Sequence, residues 1–220
     1  MNATPSTPTT RSPSRGTGSA GSSSSESQWR GGIPTATGGM AKRAMHWPPE
    51  GYIQAFRAVR EDIRLILEGG DPASLITTAH HRWHAELFAP ALRAGILEAH
   101  QLAGYRNGPV YIRNSRHTPL PAEALVDPME TLFTLIGEER EPSVRAVLGH
   151  HLFVFIHPYF DGNGRLGRFL LNALLASGGY RWTVVRMERR SAYMAALEEA
   201  SANGRIAALT RFLAEEMSRG

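Results

Sequence analysis

A chain of 220 residues with 24 basic and 20 acidic side chains, 42% hydrophobic residues and no cysteine has room for one folded domain and a tail. The lack of cysteine excludes a disulfide framework and a thiolate metal site. No apolar run reaches membrane-spanning length and no hydrophobic signal segment opens the chain, so the expectation is a cytoplasmic protein with no membrane partner; a secreted effector lacking a signal peptide is the other location that fits.

Residues 1–45 are Ser, Thr, Gly and Pro with little to bury, which predicts a disordered tail. Arg11, Arg15, Arg30, Lys42 and Arg43 against Glu26 alone account for the formal charge of +4. The balanced remainder lacks the excess basic charge of a nucleic-acid-binding core, so no nucleic-acid partner is expected. Residues 46–220 are the predicted domain, with a preceding helix in 46–70 and a core in 71–220.

From Gly51 to Leu67, Ile53, Phe56, Val59, Ile63, Leu65, Ile66 and Leu67 follow helical spacing, and Gly69-Gly70 ends the run. Asp71-Pro72 opens a second helix through Ile76, His80, Trp83, His84, Leu87 and Phe88. His80 and His84 share a face, but the glutamate of a zincin would stand at His81 and no third ligand is evident, so helix packing is the better reading. Asn107-Gly108 is a hairpin-type turn, and Val110, Tyr111, Ile112 and Arg113 alternate as a short strand. An amphipathic helix is predicted over 123–136. Apolar runs over 143–156 and 169–176 are too long and continuous for strands and predict two buried helices. Beyond Gly178-Gly179 come an extended piece at 183–187 and helices over 190–200 and 206–217.

Between the two buried runs lies His157-Pro-Tyr-Phe-Asp-Gly-Asn-Gly-Arg-Leu-Gly-Arg168. Pro158 disfavours the α region at His157, so the first run should end there. A second helix starting near Gly164 would turn unpaired amides of Gly162, Asn163 and Gly164, and the positive end of its dipole, towards an anion. Arg165 and Arg168, three apart, leave its first turn on neighbouring positions. Asp161 is suited to hold a hard cation such as Mg²⁺ against phosphate oxygens. His157 titrates near neutrality and can take a proton. A Gly-Asn-Gly turn or a pair of arginines alone is commonly structural; their joint order points to a site for a Mg²⁺-bound polyphosphate.

That order resembles the Fic family signature, His-Pro-Phe-x-Asp/Glu-Gly-Asn-Gly-Arg-x-x-Arg, with Tyr159 in place of Phe. Gly164 is similar to the nucleotidyl-transferring members, whereas the Doc-type branch has lysine there. The resemblance implies a mainly α fold: a helical bundle around a central helix–loop–helix motif, with a small β-hairpin flap at Val110, Tyr111, Ile112 and Arg113 that holds a target segment by strand addition. It implies protein adenylyltransferase activity from ATP and Mg²⁺, with His157 as general base. Asp161 would hold the metal, and Gly162, Asn163, Gly164, Arg165 and Arg168 the phosphates.

Tyr193 stands where the family has a tyrosine lining the adenine end, a core tyrosine being the other reading. Glu68-Gly69 resembles the end of the family's inhibitory helix, Ser/Thr-x-x-x-Glu-Gly/Asn, whose glutamate pairs with the second arginine of the motif, here Arg168. Arg64, however, occupies the Ser/Thr position, so a solvated Glu68 is the alternative. A hydroxyl-bearing target protein is the partner implied, together with an antitoxin-like inhibitor protein and a homodimer. A donor other than ATP, including one carrying phosphocholine, or a non-catalytic module binding through the flap edge are the competing functions.

Overall fold

The computed structural model describes residues 49–219. The predicted tail, residues 1–45, lies outside them. Seven α-helices follow one another among the described residues: α1 (Pro49–Leu67), α2 (Pro72–Arg93), α3 (Val126–Glu138), α4 (Pro142–Ile156), α5 (Asn163–Ala176), α6 (Arg190–Asn203) and α7 (Ala207–Met217). Single 3₁₀ turns stand at Ala99–Leu102, Ala122–Ala124 and Met187–Arg189.

α5 is the centre of the bundle. Residues 169–176 are buried without interruption, as expected of a helix that is apolar on every side. It packs antiparallel against α4: a Cβ on Gly149 would meet Leu174, and one on Gly167 would meet Val154 and His150. Pro142 in the first turn and the Glu141 carboxylate, 3.3 Å from the Ser143 amide, start α4 where the sequence places its beginning.

α1 and α2 form a helical hairpin. The face that α1 buries is Gly51, Ala55, Val59, Asp62 and Ile66, at steps of three and four. Ile53, Leu65 and Leu67, predicted on the apolar face, are exposed. Asp62 sits inside the stripe because α2 satisfies it: Trp83 Nε1 donates at 2.7 Å and the Arg82 guanidinium at 2.5 and 2.6 Å. A buried carboxylate stripped of such partners costs about 3–5 kcal/mol, which ties the hairpin's register to this contact. At its other end α1 reaches the motif, with Tyr52 5.3 Å from Phe169 and Phe56 edge-on to Trp182 at 5.1 Å.

The predicted hairpin flap is not formed, and the described residues contain no strand. Val110 to Arg113 lie within an irregular cover over residues 106–121, with a turn closed by Ser115 N–H on Ile112 C=O at 3.2 Å. Side chains from elsewhere supply the partners that a ladder would have offered. Arg106 donates to the carbonyls of Gly108, at 2.8 Å, and Leu120. Glu198 on α6 accepts from Ser115 Oγ at 2.5 Å and from the Arg116 amide at 2.9 Å. The other predicted helices are present with ends shifted by a few residues, a 3₁₀ turn preceding α3.

Candidate active site

α4 ends at Ile156, and His157 takes the left-handed conformation, φ 56° and ψ 59°. Pro158 removes the helical option and the fold imposes a less populated one, at a cost of about 1–2 kcal/mol. Three contacts hold it there. Arg106 Nε donates to His157 C=O at 2.8 Å, the Arg106 amide donates to Pro158 C=O at 2.8 Å, and His157 Nδ1 donates to Val154 C=O at 3.3 Å. Since Nδ1 must carry the proton to make that last bond, Nε2 is left as the basic nitrogen. Burial pushes the His157 imidazole down to about 4, opposed by the Val154 bond and by Asp161 and reinforced by Arg106 and His117. His157 is therefore neutral, a base ready to accept, across the physiological range.

The loop after it is anchored from beneath by Tyr159. Its ring is buried and stacked on His84, centroids 3.9 Å apart and planes within 8°, and its hydroxyl shares a 2.9 Å hydrogen bond with His81 Nδ1. His84 also bonds to the Asp161 backbone, so α2 supports both ends of the loop. Asn163 closes it: its Oδ1 accepts from the Tyr159 amide at 3.0 Å and its Nδ2 donates to the Tyr159 carbonyl at 2.7 Å. Gly162 sits at φ 90°, and a Cβ there would lie 3.0 Å from the Phe88 ring, so both conformation and space require glycine.

Around this frame the polar groups of the motif form a continuous chain. Asp161 Oδ1 accepts from the Gly162 amide at 2.6 Å and Oδ2 lies 3.3 Å from Arg165. The Arg165 guanidinium is 5.3 Å above the Phe88 ring, and burial moves its pKa down without discharging it. Arg168 folds back over the first turn, its Nη1 being 3.6 Å from where a Cβ of Gly164 would stand. The Arg165 and Leu166 amides donate to Gly162 C=O at 3.0 and 2.9 Å, whereas the Asn163 and Gly164 amides have no carbonyl a turn earlier within the helix and add donors to the two cations. Basic nitrogen, carboxylate, amides and guanidiniums thus meet at one loop. Such a set binds a polyphosphate and takes a proton beside it. The described residues contain no cluster of three or more His, Asp or Glu able to hold a metal by themselves. A cation at Asp161 would take its remaining ligands from phosphate and water, the usual arrangement for Mg²⁺.

Other predicted residues lie elsewhere. Tyr193 is buried, its hydroxyl 2.9 Å from His150 Nε2 and its ring 5.6 Å from Phe212, leaving no open face for a purine. Glu68 ends α1 half-exposed and is ion-paired with Arg64, the residue that replaces the inhibitory motif's hydroxyl. The α1 residue at the motif is Tyr52, sixteen positions and about 24 Å along the axis from Glu68. The structure therefore does not bring Glu68 to Arg168. Val110 to Arg113 form no strand; Gly108, two residues before them, packs on Phe160 of the motif, and Tyr111 is 78% exposed. His80 bonds to Ile76 C=O at 3.0 Å and to the Tyr105 hydroxyl at 3.2 Å, a packing histidine as expected.

The sequence reading missed Asn172. It accepts from the Thr183 amide at 2.6 Å and donates to the Thr183 carbonyl at 3.0 Å, fastening the extended piece to α5. An amide inside an otherwise apolar helix was the available signal. It also missed His117, whose Nε2 donates to Phe155 C=O at 2.8 Å and whose ring stacks on Phe155. Nothing in the local sequence marks that residue.

Comparison with known proteins agrees with this geometry. A probable protein adenylyltransferase of Aquifex aeolicus is 33% identical over 119 residues, 53% of this chain and 35% of its own length. The protein adenylyltransferase Fic of Nematostella vectensis is 37% identical over 114 residues, 50% of this chain and 26% of its own. The chain thus spans about a third or less of these relatives. Among solved structures, Fic-1 (residues 134–508) from C. elegans superposes with a TM-score of 0.66 at 22% identity, over 85% of this chain and 51% of that one. A Fic-domain signaling protein from Bacteroides thetaiotaomicron gives 0.61 at 18% identity, over 76% and 69%. A model of the Fic/DOC family matches residues 75–175, from the first turn of α2 to the last turn of α5. With the motif at the head of its central helix, the segment over residues 75–175 matches the Fic/DOC family.

Proposed function

We propose that this chain transfers AMP from ATP to a serine, threonine or tyrosine hydroxyl of a target protein. The observation that carries this reading is the neutral His157, its Nδ1 proton committed to Val154, at the loop that presents Arg165 and Arg168. The names of the relatives support the same activity.

His157 Nε2 takes the proton of the target hydroxyl. The hydroxyl oxygen bonds to the α-phosphorus as the bond from that phosphorus to the bridging oxygen breaks, and pyrophosphate leaves with the electron pair. Arg165, Arg168 and the α5 amides hold the outer phosphates in line, so that most of the acceleration comes from positioning and charge neutralisation. Asp161 would hold Mg²⁺, which when bound neutralises phosphate charge. With Glu68 engaged by Arg64, control falls to a separate inhibitor protein rather than to α1.

ATP labelled at the α or the γ phosphate, incubated with the chain, Mg²⁺ and candidate acceptors including the chain itself, tests the assignment. Label from the α position alone, lost on chelating Mg²⁺, is the expected outcome. Label from the γ position, or from a phosphocholine donor only, overturns it.

A further inference from the structure

The last turn of α4 sets the place of His157, and the motif itself leaves that turn short of donors. A helix ends with carbonyls that have no partner within it. At the end of α4 these belong to Phe153, Val154, Phe155 and Ile156. The His157 amide takes Phe153 C=O at 3.1 Å. The next two carbonyls would continue to the amides of residues 158 and 159. Pro158 has no N–H, however, and the Tyr159 amide donates to Asn163 Oδ1 at 3.0 Å. Two imidazoles fill the gap. His157 Nδ1 donates to Val154 C=O at 3.3 Å, and His117 Nε2 donates to Phe155 C=O at 2.8 Å. A carbonyl only accepts, so His117 is protonated on Nε2. The His117 ring also lies on Phe155, centroids 4.2 Å apart and planes at 29°, and so grips that residue by carbonyl and side chain together. His117 is held in turn from α6: its amide donates to Ser115 Oγ at 3.1 Å, and Ser115 Oγ donates to Glu198 at 2.5 Å. The cover over residues 106–121 is thereby fastened to both α4 and α6.

We propose that His117 is a positioning residue for His157, closing the last turn of α4 so that the His157 ring keeps its Nδ1 bond to Val154 and offers Nε2 in one orientation. This rests on the reading of His157 as the general base. Without His117 the Phe155 carbonyl loses its donor and tilts out towards water. Its peptide lies between Val154 and His157, so the tilt disturbs the Nδ1 contact and frees the ring to turn. The loss falls on the chemical step and not on nucleotide affinity, because His117 binds Phe155 and Ser115 and none of the groups assigned to the phosphates.

The test compares His117→Ala with His117→Gln, which keeps a donor near the place of Nε2, on the full chain. The readouts are the single-turnover rate of AMP transfer from α-labelled ATP, Kd for Mg-ATP by calorimetry, and imidazole ¹⁵N spectra. His117→Ala slows transfer about tenfold, as loss of one hydrogen bond behind the base does, and leaves Kd within about twofold. His157 passes from a single Nδ1–H tautomer to a mixture, and His117→Gln restores both the tautomer and most of the rate. A wild-type rate in His117→Ala overturns the proposal. A loss carried by Kd, or a slower rate with the His157 tautomer unchanged, overturns it as well. Transfer undiminished in His157→Ala instead removes the general-base reading beneath it. A measurement on the unmutated chain guards against a His117→Ala that does not fold. At about pH 8, where free imidazole is neutral, His117 shows the Nε2–H tautomer, and an Nδ1–H tautomer contradicts its bond to Phe155 and the proposal with it.

Discussion

Replacing His157 with alanine lowers the rate of AMP transfer about 10²–10⁴-fold, the usual contribution of a positioned general base, and leaves Mg-ATP affinity within about twofold. The imidazole takes no part in the core: the ring is only partly buried, and the backbone is held by Arg106 at the His157 and Pro158 carbonyls. The variant therefore folds and still presents Asp161, Arg165 and Arg168. Single-turnover labelling with saturating ATP isolates the chemical step. The pH dependence makes the same claim independently. Because burial holds His157 at about 4, the base form is present throughout the neutral range, and the wild-type rate does not fall as pH passes through the ordinary imidazole value of 6.5. An acid limb centred near 6.5 in protein that circular dichroism shows to be folded contradicts the assignment.

Acid begins to destabilise this domain in the histidine range, and buried histidines are the cause. His80, His84 and His150 are buried, and burial pushes their imidazoles down to about 3, about 3 and about 4. Below pH 6.5 the unfolded chain takes up protons at these sites that the folded chain refuses, so stability falls as pH falls. The window runs from 6.5, the unfolded value, towards 4, where the native sites begin to titrate. Each histidine contributes up to about 1.4 kcal/mol per pH unit, so the three together remove about 4 kcal/mol per unit at the steepest. With about 5–15 kcal/mol to lose, the fold gives way between about pH 5 and 4. Urea unfolding followed from pH 7 to 5 measures this as an uptake of two to three protons. Stability that stays level down to pH 5 contradicts it.

The parts of this molecule legible from sequence are those fixed by near neighbours in the chain. Pro142 and Glu141 start α4, Pro158 ends it, and the motif's order from His157 to Arg168 sets the order of groups around the loop. The parts that were not legible depend on partners far along the chain. Residues 110–113 alternate like a strand, yet no ladder forms, and Arg106 and Glu198, the latter on α6, hold the flanking Gly108, Ser115 and Arg116 instead. Asp62 is buried in the apolar stripe of α1 while Ile53 and Leu67 are left outside, because Trp83 and Arg82 await it on α2. Tyr193 is the sharpest case. Its position in α6 suggested a purine, but its hydroxyl is taken by His150, 43 residues away in sequence, and its ring packs on Phe212. Glu68 fails for the opposite reason, since a partner one turn away, Arg64, captures it.

The most direct test of the central claim is the intact mass of the acceptor after incubation with Mg-ATP and the full chain, with released pyrophosphate counted in the same tube. The account predicts one AMP added through a hydroxyl for each pyrophosphate released, and neither in the His157→Ala variant. A phosphate adduct with ADP as the product, or adducts undiminished in the variant, would contradict it.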